Sequence, residues 1–128
     1  MGYNTDFIGN FYLDPPISSE QKKIYKKFQI NRHEDDDKPG LYCQWVISDD
    51  GTTLEWDGEE KFYNYVEWLE YINENFFKSW KVSIKGYIQW NGDEFGDLGL
   101  IYINSNGEIK TKTYQDFIDN FIESLNII

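Results

Sequence analysis

TLEWDGEEKFYNYVEWLEYINENFFKSWKVSIKGYIQW, residues 53–90, decides the fold, because the period of its apolar residues changes twice. Thr53 to Trp56 is a short β-prone run stopped by Asp57 and Gly58. From Glu59 to about Phe77 the residues Phe62, Tyr65, Val66, Leu69, Ile72 and Phe76 fall in one stripe at 100° per residue, widened by Trp68. That spacing predicts the longest helix of the chain. Lys81 to Trp90 then alternates, with Val82, Ile84, Gly86, Ile88 and Trp90 on one side, and predicts a strand.

Upstream, Asn4 to Leu13 alternates as a strand, with Phe7, Phe11 and Leu13 on one side and Asp6, Ile8, Asn10 and Tyr12 on the other. Asp14, Pro15 and Pro16 end it. Ser18 or Ser19 caps a helix to about Ile30, with Ile17, Ile24, Tyr25 and Phe28 inward and four lysines outward. Asn31 to Gly40 has no apolar period and reads as an exposed loop, and Leu41 to Ile47 is a strand that turns at 48–52 to pair with Thr53–Trp56. Downstream, NGDEFGD (91–97) leads to a strand over Leu98–Ile103, and Asn106-Gly107 turns it into a strand over Glu108–Lys112. Tyr114, Phe117, Ile118, Phe121, Ile122 and Leu125 predict a last amphipathic helix, expected to dock on the core. The expected architecture is a single α+β domain over residues 1–128, an antiparallel or mixed sheet with helices on one face. Its first six elements match a ferredoxin-like βαββαβ order, followed by a β-hairpin and a C-terminal helix.

With 40% hydrophobic and 19% aromatic residues in 128, the chain can bury a core despite a formal charge of -11. One Cys excludes an internal disulfide and a Cys-rich zinc site, and no run approaches a membrane span or a secretory leader. A cytoplasmic protein is expected. The charge is local: Glu34 to Glu74 holds 13 acids and two bases, while the other residues hold ten of each. Such a field disfavours direct binding to nucleic acid or to an anionic membrane and attracts basic partners.

The outward side of the long helix brings together Tyr63, Glu67, Glu70, Tyr71 and Glu74, and Asp35, Asp36 and Asp37 lie in the preceding loop. Tyrosine offers rigid area with a polar tip and carboxylates recognise Lys or Arg, so these residues are the candidate partner-binding set. Core packing at the helix margin accounts for the two tyrosines equally well. Asp57, Glu59 and Glu60 are explained as caps of the helix start, and neither they nor Asn91–Asp97 fit an EF-hand register. His33, beside Glu34 and three aspartates, is expected to be solvated, and to favour its charged form if the loop is compact. Cys43 reads as a buried thiol with no catalytic partner at a recognisable spacing. No phosphate loop, nucleophile elbow or zinc spacing is present, so no catalytic residue, metal ligand or cofactor is indicated. Five tryptophans supply core volume, although Trp45, Trp56 and Trp90 are the set that would line an aromatic ligand pocket.

GYNTDFIGNFYLD (2–14), GLYCQW (40–45) and TLEWDGEEKFYNYVEWLEYI (53–72) resemble blocks shared by a family of small uncharacterised bacterial proteins. They cover about a third of the chain, and the resemblance implies no activity. Many members of that family carry a basic run after the first helix and a longer insert before GLYCQW, where this chain has the acidic NRHEDDDKP (31–39). The C-terminal helix lies outside the blocks.

Three functional readings follow. The charge favours a non-catalytic module or inhibitor docking a basic surface of a partner protein, itself a candidate nucleic-acid binder, as small acidic immunity proteins and phage inhibitors do. The alternatives are a small-molecule-binding protein using the aromatic pocket and a carboxylate-dependent hydrolase using Glu55, Asp57 or Asp93.

Overall fold

The computed structural model describes residues 2–127. The expected first strand is one lane in two pieces, β1 (Thr5–Ile8) and β2 (Phe11–Asp14). Gly9 between them takes φ 100°, a left-handed value that glycine adopts without penalty. The pairing register is unbroken across this kink: β1 matches Phe7 to Trp90 and β2 matches Leu13 to Ile84 on the same neighbour, β5 (Ser83–Gly92). Phe7, Phe11 and Leu13 are therefore buried on one face and Ile8 and Tyr12 exposed on the other, as the alternation requires.

The remaining elements are α1 (Ser19–Gln29), β3 (Trp45–Ile47), β4 (Thr53–Trp56), α2 (Tyr65–Ile72) with a π-helical extension over Asn73–Phe77, β6 (Leu98–Ile103), β7 (Ile109–Thr113) and α3 (Tyr114–Ser124). Strand order is β3-β4-β2-β5-β6-β7, with β1 beside β5, and every pairing is antiparallel. Helix α1 thus leads from the β1/β2 lane past β4 to β3, and α2 leads from β4 past that lane to β5. These two interleaved crossovers are the ferredoxin-like order, which the β6–β7 hairpin extends beyond β5.

Helix α1 starts at a capping box in which Gln21 N–H donates to Ser18 Oγ at 3.1 Å and Ser18 N–H donates to Gln21 Oε1 at 3.0 Å. It buries Tyr25 and half-buries Phe28, whereas Ile24, expected inside, is exposed. With Trp68, Leu69, Ile72 and Phe77 these side chains cover Trp45, Leu54, Ile84, Ile88 and Ile101 on the inner face of the sheet.

Three expectations need correction. The long helix starts at Tyr65 instead of Glu59, because Lys61 and Asn64 take left-handed backbone angles (φ 61° and 55°). Phe62 is still buried, but from an irregular segment that turns it onto Phe7 and Trp45. At the other end the helix widens, with Lys78 N–H bonding to Asn73 O five residues back at 2.9 Å. An unbroken α-helix would carry Phe76 onto the face of Ile72; the wider turn buries Phe77 completely and leaves Phe76 half-buried. The third strand is limited to Trp45–Ile47, with Leu41 and Tyr42 exposed before it. Most consequential is α3, which has no buried residue although its stripe is helical: α1 and α2 already occupy the inner face. No helix among the described residues is long and apolar enough to cross a membrane.

Replacing Phe77→Ala should therefore cost about 3–5 kcal/mol in denaturant unfolding, and Phe76→Ala clearly less. Equal losses at the two positions would contradict the π-helical phase.

Candidate functional site

The loop expected to be free in solvent is folded down onto α2. His33 packs its ring on Phe28 (4.5 Å between centroids) and Trp68 (5.2 Å), and its backbone N–H donates to Leu41 O at 2.7 Å. Asn64 Nδ2 donates to Pro39 O at 2.6 Å, closing the far end of the loop. Lys38 lies between, with Nζ 3.1 Å from Asp37 Oδ1, 4.0 Å from Asp35 Oδ2 and 5.5 Å from the centre of the Tyr71 ring. Its side chain is only 15% exposed, so this lysine is used up inside the acidic surface and offers little positive charge to the outside.

This clamp puts the loop carboxylates beside the outward side of α2. Glu67, Glu70 and Glu74 are exposed there in one stripe, and Tyr71 sits between Glu67 and Glu74 on the side toward Lys38. Asp35, Asp36 and Asp37 are exposed next to them. Glu74 also meets Lys78, four residues on. Tyr71 is half-buried, stacked on Phe28 at 5.7 Å and 12° and set edge-on to Trp68, so it anchors the face as much as it presents it. Tyr63 does not join the strip. Because α2 starts at Tyr65, Tyr63 belongs to the preceding segment, where it is half-exposed and its hydroxyl lies against Gly2.

The clamp also reverses the expectation for His33. Burial against aromatic rings lowers its pKa below the ordinary 6.5, Lys38 pushes the same way, and the Phe28 backbone and Asp35 oppose without winning. Its Nε2 and the indole Nε1 of Trp68 are buried without hydrogen-bond partners.

The other candidates are structural. Trp45 and Trp90 are buried and Trp56 half-buried, and each indole N–H is spent within the protein: Trp45 on Tyr65 O (2.9 Å), Trp90 on Asp97 Oδ1 (2.9 Å), Trp56 on Gln44 Oε1 (3.2 Å). Asp57, Glu59 and Glu60 do not cap α2, which begins five residues after Glu60. Asp57 instead accepts the Glu59 N–H at 2.9 Å, and burial raises its carboxyl above the ordinary range. Among the described residues no three His, Cys, Asp or Glu side chains converge closely enough to hold a metal ion. Cys43 is buried, 3.6 Å from the Tyr25 hydroxyl, and burial pushes its thiol up to about 11.

One arrangement gave little sign in the sequence. The 91–97 loop is tied to the N-terminal segment, with the Tyr3 hydroxyl donating to Asp97 Oδ2 (2.5 Å) and accepting the Glu94 N–H (3.0 Å), while Asn4 N–H donates to Asp93 Oδ2 (2.7 Å). Phe95 stands fully exposed on this braced loop. A phenylalanine flanked by acids and glycines was the only signal. No family model, curated protein or solved structure matches the chain.

Because the fold lowers the pKa of His33, the unfolded chain binds its proton more readily, so stability should rise as pH climbs through the range just below 6.5 and level off above it. Urea unfolding between pH 5 and 8 should lose that slope in His33→Gln. The Cys43 thiol should react with an aromatic disulfide reagent more than about a hundredfold faster in denaturant than in the native protein at pH 8. Comparable rates would mean the sheet opens readily at β3.

Proposed function

We propose that this protein is a non-catalytic binding module whose acidic face docks a basic surface of a partner protein. The observation that supports this most is the clamp: an acidic loop that composition alone leaves free is fixed on α2 by His33, Lys38 and Asn64. Six carboxylates, from Asp35, Asp36, Asp37, Glu67, Glu70 and Glu74, thereby form one prearranged surface. Ordering such a loop in advance removes part of the entropy cost of association, and a concentrated field speeds the encounter with an oppositely charged partner. A protein that binds nucleic acid is a fitting target, because its own function requires a basic surface and an acidic module would compete for it.

The test is capture by the native protein at low and high salt, followed by kinetics with the purified partner. Glu67→Lys combined with Glu70→Lys should slow association about tenfold or more and weaken its salt dependence, with the unfolding transition unchanged. Capture that survives the reversal undiminished, or that ignores salt, counts against the acidic face as the docking surface.

A further inference from the structure

A second surface lies on the other side of the sheet, away from the acidic face. The stripe of α3 is open except at the half-buried Ile118: Phe117 is 64% exposed, Phe121 55%, Leu125 51% and Ile122 47%. The outer sheet face continues it, with Ile8, Tyr12, Tyr87 and Leu100 exposed. The pairings of Ile8 with Gln89, Gln89 with Leu100 and Leu100 with Lys112 place these residues across one face. Between that face and the first turn of α3, Tyr114 and Phe117 border a cavity of about 190 Å³ with Leu98 and Leu100, and Phe95 stands by the same edge. Apolar area of this extent is unusual on a monomer.

We propose that the chain forms a two-fold homodimer through α3 and the outer face of the sheet. Charge selects the occupant. Two copies of a -11 protein repel each other on most approaches, and the acids of 34–74 that lie on the loop and α2 are on the opposite side of the sheet. On the outer face the strand register places Asp6, Asp14 and Glu55 together with Lys85, Lys110 and Lys112, with Lys85 pairing to Asp14 at 3.0 Å and Lys110 to Glu108 at 3.8 Å, so little net charge is left there. On α3 the acids Asp116, Asp119 and Glu123 fall on the side away from the stripe, whose flanks are the uncharged Gln115, Asn120, Ser124 and Asn126. A second copy therefore brings an apolar surface of little net charge to an identical one, with Asp93 and Glu94 at its edge beside Phe95. An anionic membrane is a poor fit, since α3 has three acids and no base. The size suits a dimer as well. The exposed apolar residues of helix and sheet amount to on the order of 900 Å² per copy, near the ~800 Å² each partner buries in a standard interface.

Light scattering on the eluting full-length protein tests this, with Phe117→Asp/Phe121→Asp and, separately, Leu125→Glu. These side chains are largely exposed, so circular dichroism should not change. The wild type should weigh twice the 15.3 kDa of one chain, and the double variant should drop two-fold to that value. Leu125→Glu should shift the equilibrium toward monomer. A wild type that stays at one chain mass up to its solubility limit overturns the proposal, and protection of α3 amides in that monomer would show the helix docked on its own sheet. A dimer that both variants leave intact overturns it equally, by locating the contact elsewhere.

Discussion

The indole of Trp45 is the point on which the rest of the structure depends. It is fully buried on a three-residue strand, edge-on to Phe7 (5.3 Å), Phe11 (5.9 Å) and Phe62 (5.2 Å). Its N–H donates to Tyr65 O (2.9 Å), and its own carbonyl accepts the Tyr25 hydroxyl (2.6 Å). One residue therefore joins the split first lane, the edge strand, α1 and the segment that enters α2. An indole of this kind contributes on the order of 5 kcal/mol by burial of about 200 Å². That is comparable with the whole net stability of a small domain, so loss of this one side chain would consume most of it. The stretch before α2 that meets this indole is irregular. Phe62 packs on Trp45 from this segment and the Tyr65 carbonyl at the start of α2 accepts the indole N–H, with left-handed backbone at Lys61 and Asn64 between strand β4 and the helix.

What was legible in the sequence follows from which forces are local. Alternation in the first lane, the 98–103 strand and the Ser18 cap were readable, because period and capping chemistry act between neighbours. The break at Gly9 and the π-helical widening before Phe77 were not, because each is set by the fit of one element to another across the sheet. Phe62 stands at helical spacing and is buried, yet it is not in a helix. Periodicity reports that a residue faces the core and is silent on the backbone that carries it there. On α3 it is silent on the core itself, since an amphipathic stripe has the same spacing whether its own sheet or another surface covers it.

The candidate acidic face divides in the same way. Glu67, Glu70 and Glu74 could be placed together from the sequence, because four-residue spacing on a helix is a local rule. The folding of the Asp35–Asp37 loop against them could not, since it rests on His33 filling an aromatic niche some 35 residues away in sequence from Trp68. The missing apolar period argued for an exposed loop, and its carboxylates for a charged imidazole if that loop is compact. Desolvation by Phe28 and Trp68 outweighed the neighbouring carboxylates, and the neutral ring became packing material.

The two surfaces constrain one another through the sheet. Helices α1 and α2 cover its inner face and point their polar sides outward, so the negative charge of α2 and its loop can only collect on that side. The opposite face is then free of that concentrated charge, and there the exposed apolar side chains of sheet and α3 stand among carboxylates that lysines offset. Pairing there would leave both acidic faces pointing outward, away from each other across two sheets. Each copy would then present its field to a basic partner, and two such sites on one body favour a target that carries its basic surface in repeated copies.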